Sequence, residues 1–217
     1  MTDLGWLFKP AVFLLCARPI VLLAYNLWLV LTQRDASALG TDPKQALLHE
    51  TGQTALIILL ITLSITPMRR IFGVNRIQRV RRMLGVWVFA YALAHLTIYL
   101  GFDQLCFSPA GCQWADIWQD ILKRRFIFVG QLAFLCLLLL AITSTAGWQR
   151  RLKKNWTRLH RIVYVAAAAG VIHFIWIQKS DIGEPLKFAF VLAGLMLIRI
   201  YWTVTKRLRR ADRAVTI

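Results

Sequence analysis

Six stretches of this chain run for about 17 to 22 residues with almost no charge, the length a helix needs to cross a bilayer. They fall at about Pro10 to Leu31, Ala46 to Thr66, Met83 to Phe102, Phe126 to Thr143, Leu159 to Ile177 and Lys187 to Val204. The polar segments between them are too short for a separate soluble domain. The sequence therefore predicts an all-α, polytopic membrane bundle of about six transmembrane helices. It reads as a single integral membrane domain over residues 1–217, with its core at about 46–204. Thr41-Asp42-Pro43 reads as an N-cap followed by proline in the first helical turn. Pro67 and the basic stretch after it are expected to stop the second span.

A net charge of +17 would raise the question of nucleic acid in a soluble protein, but its distribution argues against that partner. Most of the 27 basic residues cluster at Arg69 to Arg82, Arg150 to Arg161 and Lys206 to Arg213. These blocks alternate with segments holding Asp35, Asp42, Glu50, Asp103, Asp116, Asp120, Asp181 and Glu184. Such alternation is what the positive-inside rule produces. It places both termini in the cytoplasm of a multi-pass protein, with spans three and five running from cytoplasm to exterior. Lys123-Arg124-Arg125 is the one cluster on the wrong side for this rule, partly offset by Asp116 and Asp120. Met1 to Leu7 carry no basic n-region, so no cleaved signal peptide is expected. Cys16 and Cys136 lie inside apolar runs and read as packing residues, whereas Cys106 and Cys112 lie in an outer loop where a disulfide is permitted but not demanded.

Histidines within spans are costly and draw attention first. The chain has four: His49, His95, His160 and His173. At 1.5 Å per residue, His95 in span three and His173 in span five both lie roughly 18 to 20 Å from the basic end. Two imidazoles at matched depth could take both axial positions of one haem iron, or could serve only as interhelical hydrogen-bonding groups. His160 lies about 20 Å from His173 along one helix and roughly 140° around it, so the two need not face one neighbour. At the depth of His160, span three offers Arg82 and no histidine. His49, near the outer end of span two, is a substitute ligand on the outer side only. Arg18 interrupts span one, either as a partner for a propionate or quinone oxygen or as a side chain snorkelling to the surface beside Pro19. Arg199 in span six is expected to snorkel to the inner face. Trp28, Trp114, Trp118, Trp148, Trp156, Trp176 and Trp202 fall near span ends, as interfacial anchors do.

The stretch Met83 to Tyr99, centred on Ala-Leu-Ala-His95-Leu-Thr, resembles the third span of the ferric reductase-like transmembrane superfamily. Trp156-Thr-Arg-Leu-His160-Arg-Ile-Val-Tyr164, running on to His173-Phe-Ile-Trp176, resembles its fifth. More closely, the chain resembles the MsrQ (YedZ) family through Leu39-Gly-Thr-Asp-Pro43, His49-Glu-Thr-Gly52, Ile65-Thr-Pro67 and Thr143-Ser-Thr145. That resemblance implies a b-type haem subunit of the bacterial inner membrane, passing electrons from the quinone pool to MsrP, a periplasmic molybdopterin enzyme that reduces methionine sulfoxide in oxidised proteins. It implies one haem on His95 and His173, with His160 ligating or adjoining a second redox group; Arg81 and Arg82, beside span three, could neutralise a propionate or a flavin phosphate, although topology alone accounts for them. FMN is also associated with the family, although no residues here can be assigned to it. No dinucleotide-binding G-x-G-x-x-G loop occurs, so electrons are expected from membrane quinol or from a separate cytoplasmic flavin reductase. The chain then reads as an electron-transfer subunit rather than the catalytic one. The alternatives are a stand-alone haem ferric or oxygen reductase, and a haem-free transporter or scaffold in which the histidines only pack or carry protons.

Overall fold

The computed structural model describes residues 7–104, 106, 111–178 and 181–215. Helix α1 spans Phe8–Leu31 and α2 Pro43–Phe72; a 3-10 turn, Asn75–Val80, leads into α3, Arg81–Ile98. A π-helical turn, Tyr99–Asp103, ends that span. Then follow α4 (Trp114–Lys123), α5 (Arg125–Ile142), α6 (Ala146–Leu152), α7 (Lys154–Leu159), a 3-10 turn over His160–Ile162, α8 (Val163–Ile177) and α9 (Gly183–Val215). Among the described residues, six helical segments are long and apolar enough to cross a membrane, in the six places expected. Helices α2, α3, α5 and α8 form the centre, with α1 against α2 and α3, and α9 against α2 and α8. Only Cys16 and Leu23 of α1 are buried, so most of that helix presents apolar side chains to lipid.

Asp42 caps α2 as expected: its carboxylate accepts from the Gln45 N–H at 3.0 Å, and Pro43 opens the helix. The expected stop at Pro67 does not occur, because α2 continues to Phe72. A proline inside a helix removes one N–H and leaves the carbonyl four residues earlier without its partner, here Leu63. Arg199 of α9 donates to that carbonyl through Nη2 and to the Tyr164 hydroxyl through Nη1. Arg199 therefore does not snorkel outward as expected. It is drawn into the bundle by an acceptor that Pro67 creates.

At Pro19 a side chain from another helix instead bridges the neighbouring backbone pair. The fully buried Tyr91 hydroxyl accepts from the Ile20 N–H at 3.0 Å and donates to the Cys16 carbonyl at 2.7 Å, so α1 runs through its proline without a break. Neighbouring helices that satisfy freed backbone groups are what make proline tolerable within a bilayer.

The outer segment read as a loop contains α4. Ile117 on this helix is buried, while Trp114, Trp118 and Leu122, spaced four apart, form an exposed apolar row. That pattern suits a helix lying in the membrane interface. Cys106 and Cys112 are disulfide-bonded at its approach.

We expect Arg199→Met to destabilise the protein by about 1–3 kcal/mol, the cost of orphaning a buried acceptor. In a Pro67→Ala background, where the helix can close its own hydrogen bond, the cost shrinks. Unfolding midpoints of the four proteins in one detergent measure this coupling, and equal costs in both backgrounds would contradict it.

Candidate functional site

His95 of α3 and His173 of α8 come together. Their ring centroids lie 6.2 Å apart with the planes 85° to each other. Each ring is fixed by its Nδ1. His95 Nδ1 lies 2.9 Å from the Leu48 carbonyl oxygen and 3.3 Å from Thr51 Oγ1, whose own proton goes to the Leu47 carbonyl at 2.7 Å. His173 Nδ1 lies 2.6 Å from the Phe126 carbonyl oxygen. Carbonyl oxygens only accept, so Nδ1 carries the proton in both rings and Nε2 keeps its lone pair. This is the tautomer, with Nδ1–H bonded to a carbonyl, typical of a metal-ligating histidine.

The two anchors share one construction. Leu48 and Gly52 are four apart on α2, and Phe126 and Gly130 are four apart on α5. In a helix, a side chain leans over the turn before it, so residue i+4 covers the carbonyl of residue i. Glycine at i+4 uncovers that carbonyl for an imidazole from the facing helix. A Cβ on Gly52 would stand 3.1 Å from His95 Nδ1 and Cε1, and one on Gly130 only 2.7 Å from the same atoms of His173.

Both rings line a cavity of about 340 Å³ between α2, α3, α5 and α8. Its walls are apolar, including Leu56, Val88, Phe134, Leu137 and Ala166, and its polar lining includes Gln45, Tyr99, Arg124, Gln131 and Gln178. Arg124 is held there by Asp120, 2.8 Å from Nε to Oδ1, while Asp120 Oδ2 accepts from Tyr99 and from Gln104 at 3.0 and 2.9 Å. Sequence reasoning missed Gly52, Gly130 and Arg124 as site residues. The signal for Arg124 was present, since its cluster alone broke the charge pattern.

The other expected residues lie elsewhere. His49 lines the cavity, its Nε2 3.5 Å from Glu184 Oε2, and Glu184 Oε1 also accepts from Gln53 at 2.6 Å. His160 lies outside this cavity. Its Nε2 is 3.2 Å from Thr143 Oγ1 and its ring stacks on Trp156 at 3.9 Å. Thr143 Oγ1 donates to the Leu139 carbonyl, so it is placed to accept from His160. Arg82 faces a groove between α1 and α3, Arg81 reaches Thr66 Oγ1 at 3.4 Å, and Arg18 is exposed on α1.

Haem fits the pair by the chemistry of its donors. His95 and His173 would offer two neutral nitrogen donors to the apolar cavity, a donor set that haem iron accepts. Among the described residues no group of three His, Cys, Asp or Glu side chains converges as a metal site. Two imidazoles in an apolar slot match an iron whose other four donors come from a macrocycle.

A family model described as the ferric reductase like transmembrane component matches residues 51–171. The protein-methionine-sulfoxide reductase heme-binding subunit MsrQ of Xanthomonas campestris pv. campestris is 46% identical over 200 residues, covering 92% of this chain and 87% of the relative. The subunit of the same name from Xanthomonas axonopodis pv. citri is 45% identical over 206 residues, covering 95% and 91%. That of Rhodospirillum rubrum is 40% identical over 215 residues, covering 99% and 96%. No solved structure matches the chain.

The glycine geometry predicts an order of effects. Gly130→Ala should displace His173 and lower haem retention several-fold, at a stability cost of about 1–3 kcal/mol for the overpacking. Gly52→Ala, with a few tenths of an ångström more room, should retain more. Haem-to-protein ratios of the purified variants decide it, and equal retention in both would contradict the anchoring role.

Proposed function

The chain belongs to the MsrQ family of ferric reductase-like membrane proteins, and from that premise we propose that it is a b-type haem electron-transfer subunit of a bacterial inner membrane. Its proposed partner is MsrP, the periplasmic molybdopterin enzyme that reduces methionine sulfoxide in oxidised proteins. Its proposed electron source is membrane quinol or a cytoplasmic flavin reductase, with FMN as an associated group. The observation that carries this reading is the facing pair His95 and His173, each with Nδ1 tied to a helix carbonyl and Nε2 left to bind metal.

His95 and His173 would hold the haem, and Arg124 in the cavity lining is the cation suited to its propionate carboxylates. Bound there, the haem supplies a one-electron carrier. The chain's own residues do the rest. The carbonyls of Leu48 and Phe126 keep both rings from turning, and the apolar walls hold water away from them. If the basic blocks and both termini are cytoplasmic, the pair would stand nearer the periplasmic ends of their spans, seven and four residues from Phe102 and Ile177. That is the side on which MsrP would collect electrons. His160, toward the cytoplasmic end, would adjoin or ligate a second redox group on the entry side.

The reduced-minus-oxidised optical spectrum of the purified chain should show a b-type band that falls by most of its amplitude in His95→Ala and in His173→Ala. His160→Ala should keep most of it. In membranes, the reduced band should reoxidise on addition of MsrP with methionine sulfoxide and persist with either alone. Full spectra in both histidine variants would sink the ligand assignment. Reoxidation by ferric chelate or oxygen, but not through MsrP, would favour a stand-alone reductase, and a protein without haem would favour a transporter or scaffold.

A further inference from the structure

A second hollow, of about 490 Å³, lies between α1 and α3 on a different face of α3 from the histidines. Lys9, Arg79 and Arg82 stand at its mouth, where α1 and α3 both begin. Phe13, Val86, Trp87 and Ala90 line it one to two turns deeper, roughly 6–12 Å along the helices. The groove thus has a cationic end and an apolar trough, and it opens toward the lipid side of the bundle, where Phe13 and Val86 are exposed.

No carboxylate answers these three cations among the described residues. Two ion pairs elsewhere join His49 to Glu184 and Arg124 to Asp120. Nearby basic side chains do have partners: Arg81 reaches Thr66, Arg70 packs on Trp202, and Arg199 bonds Leu63 and Tyr164. Three exposed like charges around one hollow favour an anion among them. We propose that this groove is a binding site for one anionic phospholipid, its phosphate against Lys9, Arg79 and Arg82 and an acyl chain along Phe13, Val86 and Ala90. Basic pockets between transmembrane helices recognise acidic lipid headgroups in this way. A quinone would fill the trough but leave the cations unanswered. A soluble phosphate would meet the cations but leave the trough empty.

The test uses the full chain in nanodiscs of phosphatidylcholine mixed equally with phosphatidylglycerol, followed by native mass spectrometry of the lipid that survives delipidation. Wild type should retain phosphatidylglycerol over phosphatidylcholine. Replacing Lys9, Arg79 and Arg82 by Gln should lower that preference by roughly fivefold for each cation removed. The same replacement at Arg150, Lys153 and Lys154, which removes equal charge elsewhere, should leave it. Arg79→Lys should also leave it, whereas Ala90→Trp, which fills the trough without changing charge, should abolish it. Inorganic phosphate should not displace the lipid. Equal loss in the two Gln triples would overturn the proposal in favour of general surface attraction. Retention in Ala90→Trp, or displacement by inorganic phosphate or by a quinol, would overturn it as well.

Discussion

The hydrocarbon core offers no water, so each backbone polar group at membrane depth must find a partner within the protein. Much of the molecule's tertiary structure follows from that one constraint. Two spans contain an internal proline, and at each a side chain from another helix serves the disturbed backbone: Tyr91 at Pro19 and Arg199 near Pro67. These contacts join α1 to α3 and α2 to α9 by directional bonds. Packing against lipid-like neighbours could not fix those pairings as sharply, since lipid tails are as apolar as leucine.

The same constraint shapes the histidine site. An imidazole N–H at that depth needs an acceptor, and helix carbonyls already engaged in the backbone ladder still have a second lone pair. Leu48 and Phe126 supply those acceptors, and Gly52 and Gly130 expose them. The requirement that buries each Nδ1–H also selects the tautomer that leaves Nε2 free. Stability and ligand orientation are here one arrangement. Thr143 does a comparable service for His160 at the other end of the bundle, where Trp156 both stacks on that ring and donates to the Thr143 carbonyl at 2.9 Å.

The six spans were legible because bilayer thickness converts directly into run length. The depth match of His95 and His173 followed from helical rise alone, and the two rings do meet. What stayed hidden depended on contacts between helices. Pro67 looks like a stop until Arg199 is known to reach Leu63, and Arg199 looks like a snorkelling cation for the same reason. Gly52 and Gly130 carry no chemistry of their own, so only the imidazole lying against each reveals its purpose. The α4 helix was missed because ten residues with an apolar stripe fall below any spanning length and sit beside loop-forming Pro109 and Gly111.

The central claim is that His95 and His173, whose rings face each other, would together hold one haem. The low-temperature electron paramagnetic resonance spectrum of the oxidised, haem-loaded protein tests it most directly. Ferric haem held by both imidazoles would give a low-spin signal, whereas iron held by one alone would be high-spin. The account predicts the low-spin signal. A high-spin spectrum from iron with a single imidazole, or a low-spin signal that survives His173→Ala, would contradict it.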